Sequence, residues 1–260
     1  MLTLTLLACA THIPNPSDIA PTGDQSGRAV LEWSAAHHGG LEAWRGIGDM
    51  QVTLHDDWPG LLPSATAPPY PELPQLMTLS YSYALDKGTL VFHDRDRTIW
   101  GHDSVEGWVS EAGVRTYQHI PEATFQVPTF AYFLALPFKL LDDGALRYAM
   151  PPALVNGRPV EQVLVTFEDG VGVVKDRYLV SVDARTGELV HVAFTVADNG
   201  DNVEADAWYE DWTVVDGVKL PTRIRIGVLR PLRMESLHVF TMSDYDLDAD
   251  VEPVSYEKPQ

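Results

Sequence analysis

"PTFAYFLALPFKLLDDG", Pro128 to Gly144, is a markedly apolar and aromatic stretch in a chain that otherwise reads as strand after strand. Phe130, Phe133, Leu134 and Pro137 fall at helical spacing, yet the run from Phe130 to Leu141 is apolar on nearly every side. A helix of that kind is buried on several sides or meets an apolar ligand. It is far shorter than the roughly 20 apolar residues of a membrane span. Pro128 and Pro137 bracket it, and Asp142, Asp143 and Gly144 close it with a polar turn that could act as a hinge. The spacing predicts a helix over 129–136 that serves as a lid over whatever lies beneath, rather than as a fully packed plug.

On both sides of this stretch the hydrophobic period is two. Met50, Val52 and Leu54 alternate with Gln51, Thr53 and His55, and Met77, Leu79, Tyr81 and Tyr83 alternate with Thr78, Ser80 and Ser82. The same alternation recurs at Val163–Phe167, Val190–Val196, Val203–Tyr209 and Ile224–Val228. Such segments are strands with one buried and one wet face. Lys87-Gly88, Asn156-Gly157, Thr186-Gly187 and Asp216-Gly217 stand between runs as turn signals. The fold class is therefore mainly β (α+β), built on a single large, strongly twisted antiparallel sheet covered by a few helices. One helix is expected near 26–39, capped by Asp24 or Ser26, with Ala29, Val30, Trp33 and Ala36 or His37 facing the core; Gly39-Gly40 stops it. Residues Pro59 to Pro74 are expected to form a long surface loop.

The sequence has 18 Lys and Arg against 37 Asp and Glu, a formal charge of −19. Phosphate neutralisation needs clustered cations, and none cluster here, so nucleic acid is not an expected partner. Cys9 is the single cysteine, so no disulfide can form within the chain. The opening "MLTLTLLACA" resembles the end of a bacterial lipoprotein signal peptide, in which Leu6, Leu7 and Ala8 lead to a cysteine that is diacylated and becomes the new N-terminus. No Lys or Arg precedes the apolar run, which is short for such a signal, so a native start further upstream is expected. That reading makes 1–8 a truncated signal segment, 9–25 a flexible tether and 26–260 the folded domain. Ala10 stands where, in enteric bacteria, an Asp favours inner-membrane retention, so the outer membrane facing the periplasm is the expected location.

"AAHHGGLEAWRGIGDMQVTL", "LALPFKLLDDG", "EDGVGVVKDRYLVSVDARTGEL" and "YEDWTVVDGVKLPTRIRI" resemble the outer-membrane lipoprotein-sorting-like family, whose better-known relatives are the carrier LolA and its acceptor LolB. The resemblance covers roughly Ala35 to Ile226. It implies an antiparallel half-barrel whose concave apolar face is covered by helices, and a lipid or an acylated protein as partner. It supplies no catalytic residue and no cofactor. The expected apolar cavity is lined by Met77, Leu79, Tyr81, Trp100, Trp108, Phe130, Phe133 and Phe138.

Two other classes of function have some footing. His93, Asp94 and His102 in "VFHDRDRTIWGHDS" could meet across a hairpin and hold a divalent ion for hydrolysis, though no HExxH, CxxC or GxSxG motif accompanies them. A tethered envelope scaffold presenting a sheet edge is the other. His37 and His38 are expected to cap a helix C-terminus, and Asp183 and Asp216 to form turns.

The anchor reading is directly testable. Radiolabelled palmitate supplied to cells expressing the protein from its native start is expected to label it, and Cys9→Ala is expected to abolish the label. Label that persists in the variant would exclude Cys9 as the acylated residue.

Overall fold

Two runs of hairpins meet in the middle of one sheet. The first run is β1 (Asp49–Asp57), β2 (Gln75–Ser82), β3 (Lys87–Phe92), β4 (Ile99–His102) and β5 (Gly107–Ser110), each antiparallel to the last. The second is β6 (Ala145–Val155), β7 (Arg158–Phe167), β8 (Tyr178–Asp183), β9 (Leu189–Thr195), β10 (Glu204–Val215), β11 (Val218–Arg230) and β12 (Met234–Ala249). β12 pairs with β1, so the sheet has 12 strands in the order β5-β4-β3-β2-β1-β12-β11-β10-β9-β8-β7-β6 and does not close. The computed structural model describes residues 13–16, 19, 25–94, 96–111, 120–167, 176–196, 203–230, 233–251 and 256. The signal-like residues Leu6, Leu7 and Ala8, the lipidation candidate Cys9 and the capping candidate Asp24 lie outside them.

Turn chemistry explains several of the hairpins. Asn156 and Gly157 have φ of 49° and 77°, and Asp216 and Gly217 have 50° and 82°. Two successive left-handed residues make the turn whose twist matches the flanking strands. Lys87-Gly88 differs from expectation. The turn lies one step earlier, with Asp86 at φ 53°, and Gly88 sits inside β3 opposite Tyr81. A Cβ there would come within 2.3 Å of the Tyr81 ring, so the tyrosine lies flat on the glycine. The Pro59–Pro74 segment is not wholly loop, since a short helix, Leu61–Thr66, occupies part of it.

The chain leaves β5 at one edge of the sheet and must enter β6 at the other. Flat, eleven strand spacings would separate those edges by about 50 Å. The long helix of the crossing, Pro121–Leu134, spans only about 21 Å. It nevertheless packs on β2 to β5 while its Phe133 ring lies 5.1 Å from Phe194 of β9. The sheet is therefore curled around the helix as a half-barrel. Numbered in chain order the helices are α1 (Arg28–His37), α2 (Leu41–Arg45), α3 (Leu61–Thr66), α4 (Pro121–Leu134) and α5 (Leu136–Lys139). α4 begins eight residues before the expected start at 129. Pro121 takes a first-turn position, where its missing N–H costs nothing. Pro128, read as a bracket, lies inside α4. It forfeits one intrahelical bond, and burial of Ala123, Val127, Phe130, Ala131 and Leu134 offsets that loss. Pro137 opens the separate α5.

α1 buries a different face from the one the apolar spacing suggests. Leu31, Ser34, Ala35 and His38 point inward, and Trp33 is 37% exposed at the rim against Gly187. Small Ser34 and Ala35 let α1 approach the sheet closely, which Trp33 could not. Ser26 does not cap α1; its Oγ accepts the backbone N–H of Ala149 in β6, at 2.9 Å. Gly39 has φ 111° and lies so close to the β10–β11 turn that a Cβ would sit 2.3 Å from the Gly217 carbonyl. That contact requires the first glycine of the pair.

A buried cation fixes one end of the helical layer. The guanidinium of Arg147, 2% exposed, donates to the carbonyls of Leu140 at 2.8 Å, Ala145 at 2.8 Å and Asp142 at 2.6 Å, and to Gln25 Oε1 at 2.8 Å. The turn after α5, expected to be a flexible hinge, is thus wrapped around a buried cation. Outside the concave face, Ile13 packs with Leu164, Leu179 and Ala193 in a second apolar cluster, and Arg177 bonds Asn15. Part of the 9–25 segment therefore lies on the convex side of β7–β9.

His38 caps α1, but its ring acts across the layer rather than on helix carbonyls: Nε2 accepts the Leu189 N–H at 3.1 Å. Nδ1 therefore carries the proton of the neutral ring. Desolvation, aided by His37 and Lys219, pushes the imidazole down to about 3. The unfolded chain then binds one more proton than the native one between pH 6.5 and about 3. Stability from this group is complete above pH 6.5 and is lost as pH falls. Denaturant melts are expected to show about 2 kcal/mol lost between pH 6.5 and 5, and a clearly smaller loss over that window in His38→Asn. Equal pH slopes in the two proteins would exclude His38 as the titrating group.

Candidate functional site

The concave face is an apolar surface made by both runs of strands. Met77, Leu79 and Tyr81 of β2 and Trp100 of β4 lie on it, all 3% exposed or less, as do Ile224 of β11 and Phe240 and Met242 of β12. α4 and α5 lie across it, with Phe130 and Phe138 in the same continuous core. Seven of the eight expected lining residues are therefore brought together: Met77, Leu79, Tyr81, Trp100, Phe130 and Phe138 are buried, and Phe133 is half-buried against the same core.

Trp108 is the exception. Gly101 pairs with Trp108 while Trp100 pairs with Val109, so Trp108 points to the convex side. Its indole covers Gly101, where a Cβ would lie 2.0 Å from the ring, and donates to the Tyr256 carbonyl at 3.3 Å. The Tyr256 hydroxyl reaches Asp49 at 3.0 Å. Trp108 is the seat for the C-terminal tyrosine, and its partner glycine was the available signal.

The lid expectation is corrected in one respect: α4 fills the concave face. Beneath it, among the described residues, lies a slot of about 10 Å³ lined by Leu54, Phe130, Phe133, Leu134, Ile224, Phe240 and Met242. That is space for about one water, in a lining with no polar group to hold one. Phe133 closes the slot on the side of β9 and β10, against Phe194.

Two tyrosines hold α4 in place. The last carbonyls of a helix have no partner within it. Here the Tyr209 hydroxyl of β10 donates to the Phe133 carbonyl at 2.8 Å, and the Tyr83 hydroxyl, just past β2, donates to the Ala131 carbonyl at 2.9 Å. One anchor comes from each half of the sheet. Burial raises both phenols far above their ordinary range, so both remain donors.

A polar group seals one end of the face. Asp56, fully buried, accepts from Trp58 Nε1 at 2.8 Å and from the Tyr70 hydroxyl at 3.2 Å, and lies 2.8 Å from His238 Nδ1. The His238 ring stacks on Trp58 at 4.2 Å and meets Phe240 of the slot edge-on at 4.5 Å. Sequence reasoning missed this pair because 182 residues separate its members. Asp56 continues the inward parity of Met50, Val52 and Leu54, and a carboxylate at an inward position was the signal that could have found it.

The candidate metal residues do not converge. His102 pairs with Gly88, five positions before His93, which puts them about 16 Å apart along the strand. Asp94 instead accepts the Thr98 N–H and hydroxyl at 2.9 and 2.8 Å, a turn-forming role, and His93 lies 2.8 Å from the Thr78 hydroxyl. His102 is buried, and desolvation lowers it. Among the described residues no group of three or more His, Cys, Asp or Glu side chains is placed to hold a metal. Asp183 is a turn-former: against desolvation, the N–H groups of Arg185 and Thr186 and the Arg158 guanidinium hold it at about 2.

An open antiparallel half-barrel with a helix laid along its concave face is thus the class this chain defines. Solved structures share it. A LolA superfamily protein from Nitrosomonas europaea superimposes with a TM-score of 0.58 at 12% identity, covering 89% of this chain and 97% of that one. A putative outer membrane lipoprotein-sorting protein domain from Vibrio parahaemolyticus gives 0.57 at 12%, over 91% and 98%. A DUF1329 family protein from Desulfovibrio piger gives 0.56 at 13%, over 89% and 97%. At these identities the likeness establishes a common fold. No protein-family model matches the sequence, and no curated protein matches it in sequence.

The two tyrosine anchors differ in a testable way. The Ala131 carbonyl also accepts the Ala135 N–H at 3.1 Å, so it keeps a partner without Tyr83. Tyr83→Phe is therefore expected to cost about 1 kcal/mol and Tyr209→Phe about 2 kcal/mol. In the double variant, hydrogen exchange of the α4 amides is expected to speed up while that of β1 and β12 does not. Uniform acceleration through the sheet would show that the hydroxyls do not anchor α4 separately.

Proposed function

We propose that the protein binds a lipid or the acyl chain of a lipoprotein on its concave face and acts as a lipid-anchored carrier or acceptor in the bacterial envelope, facing the periplasm from the outer membrane. It performs no chemistry and uses no cofactor. The observation that carries this reading is the nature of the cover. An apolar surface spanning both halves of the sheet is covered by a crossover helix that buries Ala123, Val127, Phe130, Ala131 and Leu134 against it and is tied down at its C-terminal end by two side-chain hydroxyls. A helix and an acyl chain are interchangeable occupants of such a surface. The fold likeness to proteins described as LolA superfamily and lipoprotein-sorting supports the reading, and Cys9 supplies the anchor.

On this reading the slot at Phe133 is where displacement starts. The ligand must replace the Phe133 ring, and the energy of doing so reduces apparent affinity. A fluorescent fatty acid is expected to bind the delipidated protein at one per chain. Phe133→Ala is expected to tighten that binding several-fold while lowering stability by roughly 2–3 kcal/mol, because the ring is only half-buried. Native mass spectrometry of protein purified from membranes is expected to show a bound lipid mass. Absence of both the bound mass and fatty-acid binding would overturn the proposal.

A further inference from the structure

Beside the concave core lies a second cavity of about 160 Å³, between α2 and the turn that follows α5. Its floor is the Trp44–Phe138 pair, stacked at 4.6 Å and 3°. Leu41 and Leu141 supply apolar walls, and charges of both signs stand at the rim, Arg45 on the α2 side and Asp143 on the turn. Among the described residues neither Arg45 nor Asp143 makes an ion pair, whereas neighbouring Asp142 is paired with Lys139.

The turn that carries Asp143 is held rigid. Arg147 takes the carbonyls of Leu140, Asp142 and Ala145 from beneath it. α2 is held as well, since Trp44 packs on Tyr83 at 4.8 Å as well as on Phe138. The backbone that carries the two rim charges is therefore held on both sides of the cavity before any ligand arrives, which lowers the cost of binding. The cavity is too small for a lipid tail but fits a group of a few heavy atoms.

We infer that this cavity binds the zwitterionic headgroup of a phospholipid, with its phosphate at Arg45 and its ammonium at Asp143. Guanidinium matches phosphate in geometry and charge, and a carboxylate on the facing wall accepts the ammonium protons. An anionic headgroup without an ammonium would bring its phosphate to Arg45 but leave Asp143 facing a like charge or a neutral hydroxyl. The inference deepens the lipid-binding reading by assigning the headgroup class, and it rests on that reading. The Trp44–Phe138 floor belongs to the concave core, so a headgroup held there starts its chains beside that core.

Calorimetric titration of the full chain with sub-micellar dihexanoyl-phosphatidylethanolamine and dihexanoyl-phosphatidylglycerol tests this. The ethanolamine lipid is expected to bind about tenfold more tightly. Asp143→Asn is expected to bring the two within about twofold, and Arg45→Gln to weaken both by about tenfold. Both side chains are exposed at the rim, so neither variant threatens the fold. Free phosphoethanolamine is expected to compete weakly. Competition as strong as the lipid's would replace the lipid by the soluble headgroup as ligand. Equal affinities in the wild type, or a preference that survives Asp143→Asn, would overturn the headgroup site. Fatty-acid binding measured alongside separates the two failures: if the fatty acid binds and headgroup preference is absent, the headgroup inference alone falls.

Discussion

The crossing of α4 from one half of the sheet to the other is the constraint on which this structure depends. The first meander ends at one edge of a 12-stranded sheet and the second starts at the other, so they can belong to one chain only if something spans the gap. The covered route is the concave face. That requirement curls the sheet, since Phe133 has to reach Phe194 while the same helix touches β4 and β5. It also explains the composition of the crossing segment. α4 buries Ala123, Val127, Phe130, Ala131 and Leu134, and Tyr132 and Phe133 pack on the same core beside them, so its last turns can be apolar on several sides without being membrane-spanning. The backbone polar groups at its end then need partners inside an apolar layer, and Tyr83 and Tyr209 supply them from opposite sides.

The remaining polar groups of the interior follow the same logic. Arg147 is a buried cation accommodated by turn carbonyls and an amide. Carbonyls at the C-terminal end of α5 carry partial negative charge, so the guanidinium satisfies groups that would otherwise be orphaned. Asp56 is the converse case, a buried carboxylate surrounded by indole, phenol and imidazole donors. Each sits at an end of the helical layer, where regular hydrogen bonding stops. The open edge at β6 is treated differently. Pro151 and Pro152 stand exposed where its register shifts against β7, and proline blunts pairing by an edge strand. That works against a scaffold built on this edge.

How much of this was legible in the sequence depends on how local the cause is. Period-two alternation and Asn-Gly or Asp-Gly turns are local, and they gave the sheet and its hairpins correctly. Ser34 and His38 on the buried face of α1 were not legible. Their burial depends on the β10–β11 turn and on β9, which a helical-period reading cannot see. Pro128 misled for a related reason: a proline stops an isolated helix, but a helix packed on the sheet through Ala123, Val127, Phe130, Ala131 and Leu134 tolerates the loss of one bond. Most of the residues named for an apolar lining share the concave core, because large apolar side chains inside alternating strands have few other places to go. Trp108 was assigned to the wrong face because a four-residue strand offers too little alternation to fix its parity. The Asp56–His238 pair needed the β1–β12 pairing, which no short-range pattern encodes.

The energetics of exchange decide whether a filled concave face is compatible with the proposed ligand. Lifting α4 exposes the strand surface beneath it and the inward side chains Val127, Phe130, Ala131 and Leu134. At roughly 1.5–3 kcal/mol for each of the three large side chains, that loss is on the order of 5–9 kcal/mol, with about 3 kcal/mol more for the two hydroxyl bonds. An acyl chain of about 15 methylenes gains about 12 kcal/mol on leaving water, at ~0.8 kcal/mol each. The two sums are close. On the proposed function, a ligand chain would therefore replace the helix without unfolding the sheet, and the helix would expel the chain when a better apolar sink is offered. A face left empty would bind too tightly to release, and a helix more strongly bonded than by two tyrosines would never yield. Near-balance between occupant and cover is what a carrier or acceptor of this kind requires.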